Sequence, residues 1–231
     1  MSSSSPASVS ELRVQGSEDD PDGYAYRVPT SLHSQRYFEA VVDLACAVDG
    51  AQVDEMARGL AALRERGGRL FILGVGGGAG HASHAVNDFR KLCLIESYAP
   101  TDNVSELTAR TNDEGWDTSF TAWLGISKLS RADAVMVFSV GGGSREHNVS
   151  MNLVRAIELA RELGAAIYGV VGSPDGTLAH LADVAIVIEA PTELKTPLVE
   201  SFQAVVWHAL VSHPELAAQK GHWETLATRV R

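Results

Sequence analysis

Short, wholly apolar runs that end in glycine alternate along the chain with longer stretches in which apolar residues recur at helical spacing. Leu70 to Leu73 leads into Gly74, Gly76, Gly77 and Gly78, and Ala134 to Val140 leads into Gly141, Gly142, Gly143 and then Ser144. Ala166 to Val171 and Val184 to Ile188 are further runs of this kind, and Leu92 to Ile95 reads as a shorter one. Such runs suit strands buried on both faces of a parallel sheet. Between Ser34 and Arg66, Tyr37, Val41, Leu44, Val48, Val53, Met56, Leu60 and Leu63 keep a helical period that breaks at Asp49-Gly50. Asp102 to Arg110 and Trp116 to Leu129 predict two helices separated by an Asn112-Asp113-Glu114-Gly115 turn. Asn148 to Leu163 predicts another helix, closed by Gly164, and Thr196-Pro197 opens the last.

Strands alternating with helices predict an α/β fold: a three-layer αβα sandwich on a mostly parallel sheet, flavodoxin- or Rossmann-like, with N-terminal helices in addition. Residues 1–28 are Ser-rich and then acidic, without periodicity, and read as a disordered tail. Residues 29–213 form one domain, and 214–231 read as a C-terminal tail without an assigned role.

Composition narrows the function. With 231 residues, 45% apolar and 21% charged, the chain has the content of one soluble domain. A formal net charge of −10 argues against a nucleic-acid surface and leaves a bound phosphate to be held by backbone N–H groups and hydroxyls. No apolar run approaches a membrane span. The start, MSSSSPASVS, lacks the basic end and apolar centre of a secretion signal, so a cytoplasmic protein with reduced Cys46 and Cys93 is expected.

The stretch LFILGVGGGAGHASHAVNDFRK, Leu70 to Lys91, carries the clearest chemistry. A glycine turn between a strand and a helix start exposes N–H groups to an anion, and the helix dipole favours negative charge there. The new helix then brings His81, His84, Asn87 and Asp88. His84 and Asp88, four apart, share a face and can bind a divalent metal or act as acid and base. On the last helix Glu200 and His208 are eight residues, ~12 Å, apart and reach one centre only by leaning together. The second VGGG turn offers the hydroxyls of Ser139, Ser144 and Ser150 to phosphate oxygens. A competing reading comes from Gly74, Gly76 and Ala79, which fit G-x-G-x-x-A with Glu96 further on, a dinucleotide fingerprint. The recurrence of VGGG and the polar helix count against it.

Together, GVGGGAGHASHAVNDF, LTARTNDEGWDTSF, FSVGGGSREHNVSMNLVRAI and TPLVESFQAVVWHALVSHP resemble the sugar isomerase (SIS) domain family, specifically phosphoheptose isomerases. The resemblance implies an aldose–ketose isomerase that interconverts sedoheptulose 7-phosphate, or a similar long ketose phosphate, with the aldose phosphate. It implies ligand contacts from Val75, Gly76, Gly77, Asn112, Asp113, Ser139, Val140, Gly141 and Ser150, and Ser144 and Glu200 are expected to join them. It also implies a divalent metal, zinc, on His84, Asp88, Glu200 and His208, with Asp88 and His208 as acid and base. A homotetramer with active sites between subunits is expected as well. Asp88 and Glu200 stand where well-known members carry Glu and Gln, and the second loop has gained about six residues around Gly142 to His147. A non-catalytic module that binds a sugar phosphate or a protein is the alternative.

Overall fold

The computed structural model describes residues 30–222 and 225, so the residues read as an N-terminal tail lie outside it. Two helices, Thr30–Ala47 (α1) and Gly50–Glu65 (α2), precede the first strand, Leu70–Gly74 (β1). Then follow Gly77–Cys93 (α3), Ser97–Tyr98 (β2), Val104–Asp113 (α4), Ser119–Ile126 (α5) and Ala134–Ser139 (β3). Met151–Leu163 (α6), Ala166–Val171 (β4), Thr177–Leu181 (α7), Val184–Val187 (β5) and Lys195–Val211 (α8) complete the order. The strands form one parallel sheet in the order β2-β1-β3-β4-β5.

Each face of the sheet is covered because alternate side chains of the same strands point to opposite sides. Leu70, Ile72, Met136 and Phe138 pack with α2, α3 and α8, while Phe71, Leu73, Val135 and Val137 pack with α5, α6 and α7. The three-layer expectation therefore holds. The order 2-1-3-4-5 is the flavodoxin-like one, whose switch point falls between β1 and β3. Gly74 pairs with Phe138 across that point, which sets the two VGGG turns side by side.

Two local expectations differ from the structure. Residues 92–95 are not a strand: α3 runs to Cys93, because Ala82, Ala85, Phe89 and Cys93 continue its buried face. Leu94 then turns the chain at φ 56°, and only Ser97 and Tyr98 pair with β1. Asn112 and Asp113 end α4 instead of forming a turn. Arg110 pairs with both Glu106 at 2.8 Å and Glu114 at 3.3 Å, one turn to either side, which carries the helix through them. The expected break between the first helices is real, and the Asp49 side chain caps α2 by accepting from the Ala51 N–H at 2.9 Å.

The chain beyond α8 docks on the domain as far as Gln219. Leu216 is fully buried, Arg64 donates to its carbonyl at 2.6 Å, and Ala218 and Gln219 donate to the carbonyl of Leu92. Cys46 and Cys93 are both free thiols; burial pushes the Cys93 thiol up to about 12, only partly opposed by Arg64, so it stays protonated and inert. Among the described residues no helix is long and apolar enough to cross a membrane.

At the end of the strands opposite the glycine turns, Asp133 ties β1 to β3. It accepts from the Arg69 N–H at 3.0 Å, from the Arg69 guanidinium at 2.9 and 3.1 Å, and from Ser130. Burial pushes this carboxyl up, but the hydrogen bonds from Arg69 and Ser130 outweigh it and hold the group below its ordinary value. A depressed native pKa adds stability that is present above the ordinary carboxylate value and lost as pH falls through the native one. Asp133→Asn is expected to cost about 3 kcal/mol at pH 7. Urea unfolding should find the difference from wild type shrinking below about pH 4.

Candidate active site

Helices α3 and α8 lie against each other and run in the same direction, so their side chains meet in successive rungs. At the first rung the Glu200 carboxylate sits on the Cα of Gly77, where any Cβ would strike it. At the second, Nδ1–H of His81 donates to Oε1 of Gln203 at 2.8 Å. At the third, the Trp207 indole donates to Oδ2 of Asp88 at 3.1 Å. His84 and His208 flank that carboxylate from the two helices, each with Nε2 3.5 Å from the same Oδ2.

These three side chains, His84, Asp88 and His208, bring ligand atoms within 4.8 Å of one another. His208 donates from Nδ1 to the carbonyl of Ala204 at 2.8 Å, which leaves the neutral ring with its lone pair on Nε2, facing Asp88. Asn87 donates to the other Asp88 oxygen at 3.0 Å. A lone pair directed at a carboxylate oxygen is unfavourable unless a proton or cation stands between them. The 3.5 Å separations are close to the ~3.4 Å edge of a tetrahedral site with ~2.0–2.1 Å bonds. The residues therefore fit a divalent ion, and both His208 and Asp88 carry the outer hydrogen bonds that usually orient such ligands. The shorter Asp88 side chain does reach the centre.

Of the four residues expected there, the structure brings three together. Glu200 is not among them: α8 is regular from Lys195 to Val211, and eight residues place Glu200 and His208 about two turns apart. Glu200 instead meets the N-terminus of α3, a favourable place for a carboxylate.

Beside the ladder, a cleft of about 230 Å³ opens at the switch point. Of the residues expected to contact ligand, Val75, Ser139, Val140, Gly141, Ser150 and Glu200 line it, together with Gly78, Phe138, Val149, Leu153 and Gln203. Gly76 and Gly77 do not line it; Gly76 takes φ 60° as the cap of α3, a conformation suited to glycine. The N-terminus of α6 begins at Ser150, which holds the left-handed φ of 51°, a strained value of the kind that clusters at functional sites. Ser139 Oγ accepts from Gly142 N–H at 3.0 Å and keeps its own proton to offer. Ser144 does not line the cleft: it is bridged to Val149, and its Oγ accepts from the His147 N–H at 3.2 Å. Asn112 and Asp113 do not line the cleft, and Asn112 donates to its neighbour Asp113.

The cleft thus has two helix N-termini, but Glu200 already meets that of α3. The α6 terminus with Ser139 and Ser150 remains for a phosphate. Sequence reasoning missed Gln203, Trp207 and the pairing of His81. Their signal is spacing alone, since residues 200, 203 and 207 recur at i+3 and i+4 on one face of an otherwise apolar helix.

No family model matches the chain. It is 40% identical over 159 residues to lincomycin biosynthesis protein LmbN of Streptomyces lincolnensis, an alignment that takes in 64% of this chain and 56% of that protein. A phosphoheptose isomerase of Francisella tularensis superposes with a TM-score of 0.69 at 18% identity, across 80% of this chain and 97% of its own, and shares the fold. Phosphoheptose isomerase of Rhodospirillum rubrum is 30% identical over 164 residues, which span 68% of this chain and 81% of that protein. Sequence identity and covered length together show that the chain belongs to the phosphoheptose isomerase family.

Proposed function

We propose that the chain is an aldose–ketose isomerase acting on sedoheptulose 7-phosphate or a ketose phosphate of similar length. The observation that carries this reading is the convergence of His84, Asp88 and His208 on the same helix pair that walls a phosphate-suited cleft. The α6 N-terminus, Ser139 and Ser150 hold the phosphate, and the carbonyl end extends toward the cluster. His208, half exposed and with Nε2 free by virtue of its bond to Ala204, takes the proton from the carbon next to the carbonyl, exchanges it with solvent, and protonates the neighbouring carbon of the enediol. Asp88, largely buried and held by Trp207 and Asn87, orients that imidazole and stabilises its charged form. Held by His84 and Asp88 while His208 keeps its one Nε2 lone pair for the proton, a divalent ion would polarise a substrate oxygen as a Lewis acid, and imidazole and carboxylate ligands suit zinc.

A homotetramer with active sites between subunits agrees with the exposed Phe38 and Val42 on α1 and Val205 on α8, and with the half-exposed imidazoles. The cytoplasm suits two free thiols. The 40% identity to a lincomycin biosynthesis protein supports testing ketose phosphates of other lengths as well.

The zinc-loaded protein should convert sedoheptulose 7-phosphate into the aldose phosphate, followed by proton NMR, and should retain about one zinc per chain through dialysis. Conversion of no ketose phosphate by the metal-loaded protein would contradict the reading.

A further inference from the structure

Within the α3–α8 ladder one polar group has no partner. Gln203 is fully buried, yet its Nε2 makes no hydrogen bond, while its Oε1 accepts from His81 at 2.8 Å. A buried amide nitrogen without an acceptor is costly, commonly about 1–3 kcal/mol, and such a group usually has a reason to persist. Its surroundings supply one. Gln203 is a wall residue of the cleft, so its amide borders the space a ligand would fill.

His81 orients the amide: with Oε1 of Gln203 accepting from its Nδ1–H, the NH2 group is turned away from the imidazole. The imidazole itself is held beside the Trp207 ring at 5.2 Å between centroids, so the indole that fixes Asp88 also packs on the ring that orients Gln203.

Position on α8 indicates which part of a ligand the donor meets. Glu200 lies one turn before Gln203, next to the glycine turns, and His208 lies five residues after it, ~7.5 Å along the axis. A ligand with its phosphate at the α6 N-terminus and its carbonyl near His208 must pass Gln203 with its middle. A glutamine N–H can donate to a hydroxyl or ring oxygen there and has no use for a second phosphate oxygen beyond its reach.

We infer that Gln203, oriented by His81, is a specificity-determining donor to the polyol chain of the substrate, so that this chain selects long sugar phosphates by a contact that short ones cannot make. The inference rests on the isomerase reading and deepens it. Gln203 is the contact residue; His81 is a positioning residue.

The test compares binding of two ligands by calorimetry in the zinc-loaded protein: sedoheptulose 7-phosphate, and glycerol phosphate, which has the phosphate without the long chain. Gln203→Met keeps the length of the side chain and removes the orphan donor, so folding is expected to survive. It should weaken sedoheptulose 7-phosphate about tenfold and leave glycerol phosphate within about twofold. His81→Phe keeps a ring against Trp207 but frees the amide to turn. It should weaken the long sugar about threefold in the wild-type background and not at all beside Gln203→Met, because the two act through one group.

An equal change for both ligands in Gln203→Met, or additive effects of the two substitutions, would overturn the inference while leaving the isomerase reading intact. Wild-type protein that binds glycerol phosphate but no ketose phosphate would overturn both.

Discussion

His208→Ala is expected to lower kcat about 10³-fold while the protein remains folded and still binds phosphate. The side chain is half exposed on α8 and rests on the Trp207 ring only at the surface of the core, so its removal costs little stability. What it removes is a lone pair whose direction is set. The Nδ1–H bond to Ala204 fixes the tautomer, and the buried Asp88 carboxylate stands 3.5 Å from Nε2. No other described imidazole combines these features: His84 faces the same carboxylate without a backbone partner, and His81 is committed to Gln203. Steady-state kinetics with parallel thermal melts would check this. A variant with near-normal kcat would remove His208 from the proton path.

Gly74→Ala is expected to be the most damaging single change to the fold of the site. A Cβ on Gly74 would overlap the carbonyl of Gly78, which is backbone and cannot swing aside, and Gly78 in turn has the Phe138 carbonyl 2.6 Å from where its own Cβ would stand. Relief of one overlap would therefore push the start of α3 off both β1 and β3. Overpacking of this kind costs ~3 kcal/mol, or ~6–12 °C in Tm for a chain of this size. Gly80, three residues past Gly77 on the same helix, has nothing near its Cβ position. Gly80→Ala should stabilise by about 0.5–1 kcal/mol through helix propensity. Opposite signs for the two substitutions in thermal melts would tie the requirement to the close approach; equal effects would deny it.

The sheet was legible because its central strands are buried on both faces and stop at glycines. Leu70–Gly74 is buried throughout, and Ala134–Ser139 nearly so, and no helix period fits either. Residues 92–95 misled because four apolar residues suit a strand or the end of a helix equally, and the buried face of α3 decides between them only from Ala82 onward. Asn112 and Asp113 have turn composition, but ion pairs one helical turn apart held α4 together past them.

For the site, one-helix relations could be read and between-helix relations could not. The His84 and Asp88 pair needs only the rise of α3. Trp207 as the donor to Asp88, and His81 as the partner of Gln203, depend on which faces of α3 and α8 meet, which no spacing within either helix encodes. Glu200 was misplaced for the same reason. Its distance from His208 along the axis was known, but only the packing against Gly77 shows that it turns toward the glycine turn and away from the cluster.

Solvent exchange tests the central claim most directly. The zinc-loaded protein, incubated with sedoheptulose 7-phosphate in D2O, should yield aldose phosphate carrying deuterium at C2, and His208→Ala should suppress that incorporation about 10³-fold. Aldose phosphate formed without deuterium at C2 would point to hydride movement in place of proton transfer, and no product at all would leave the His84, Asp88 and His208 cluster without the catalytic role assigned to it.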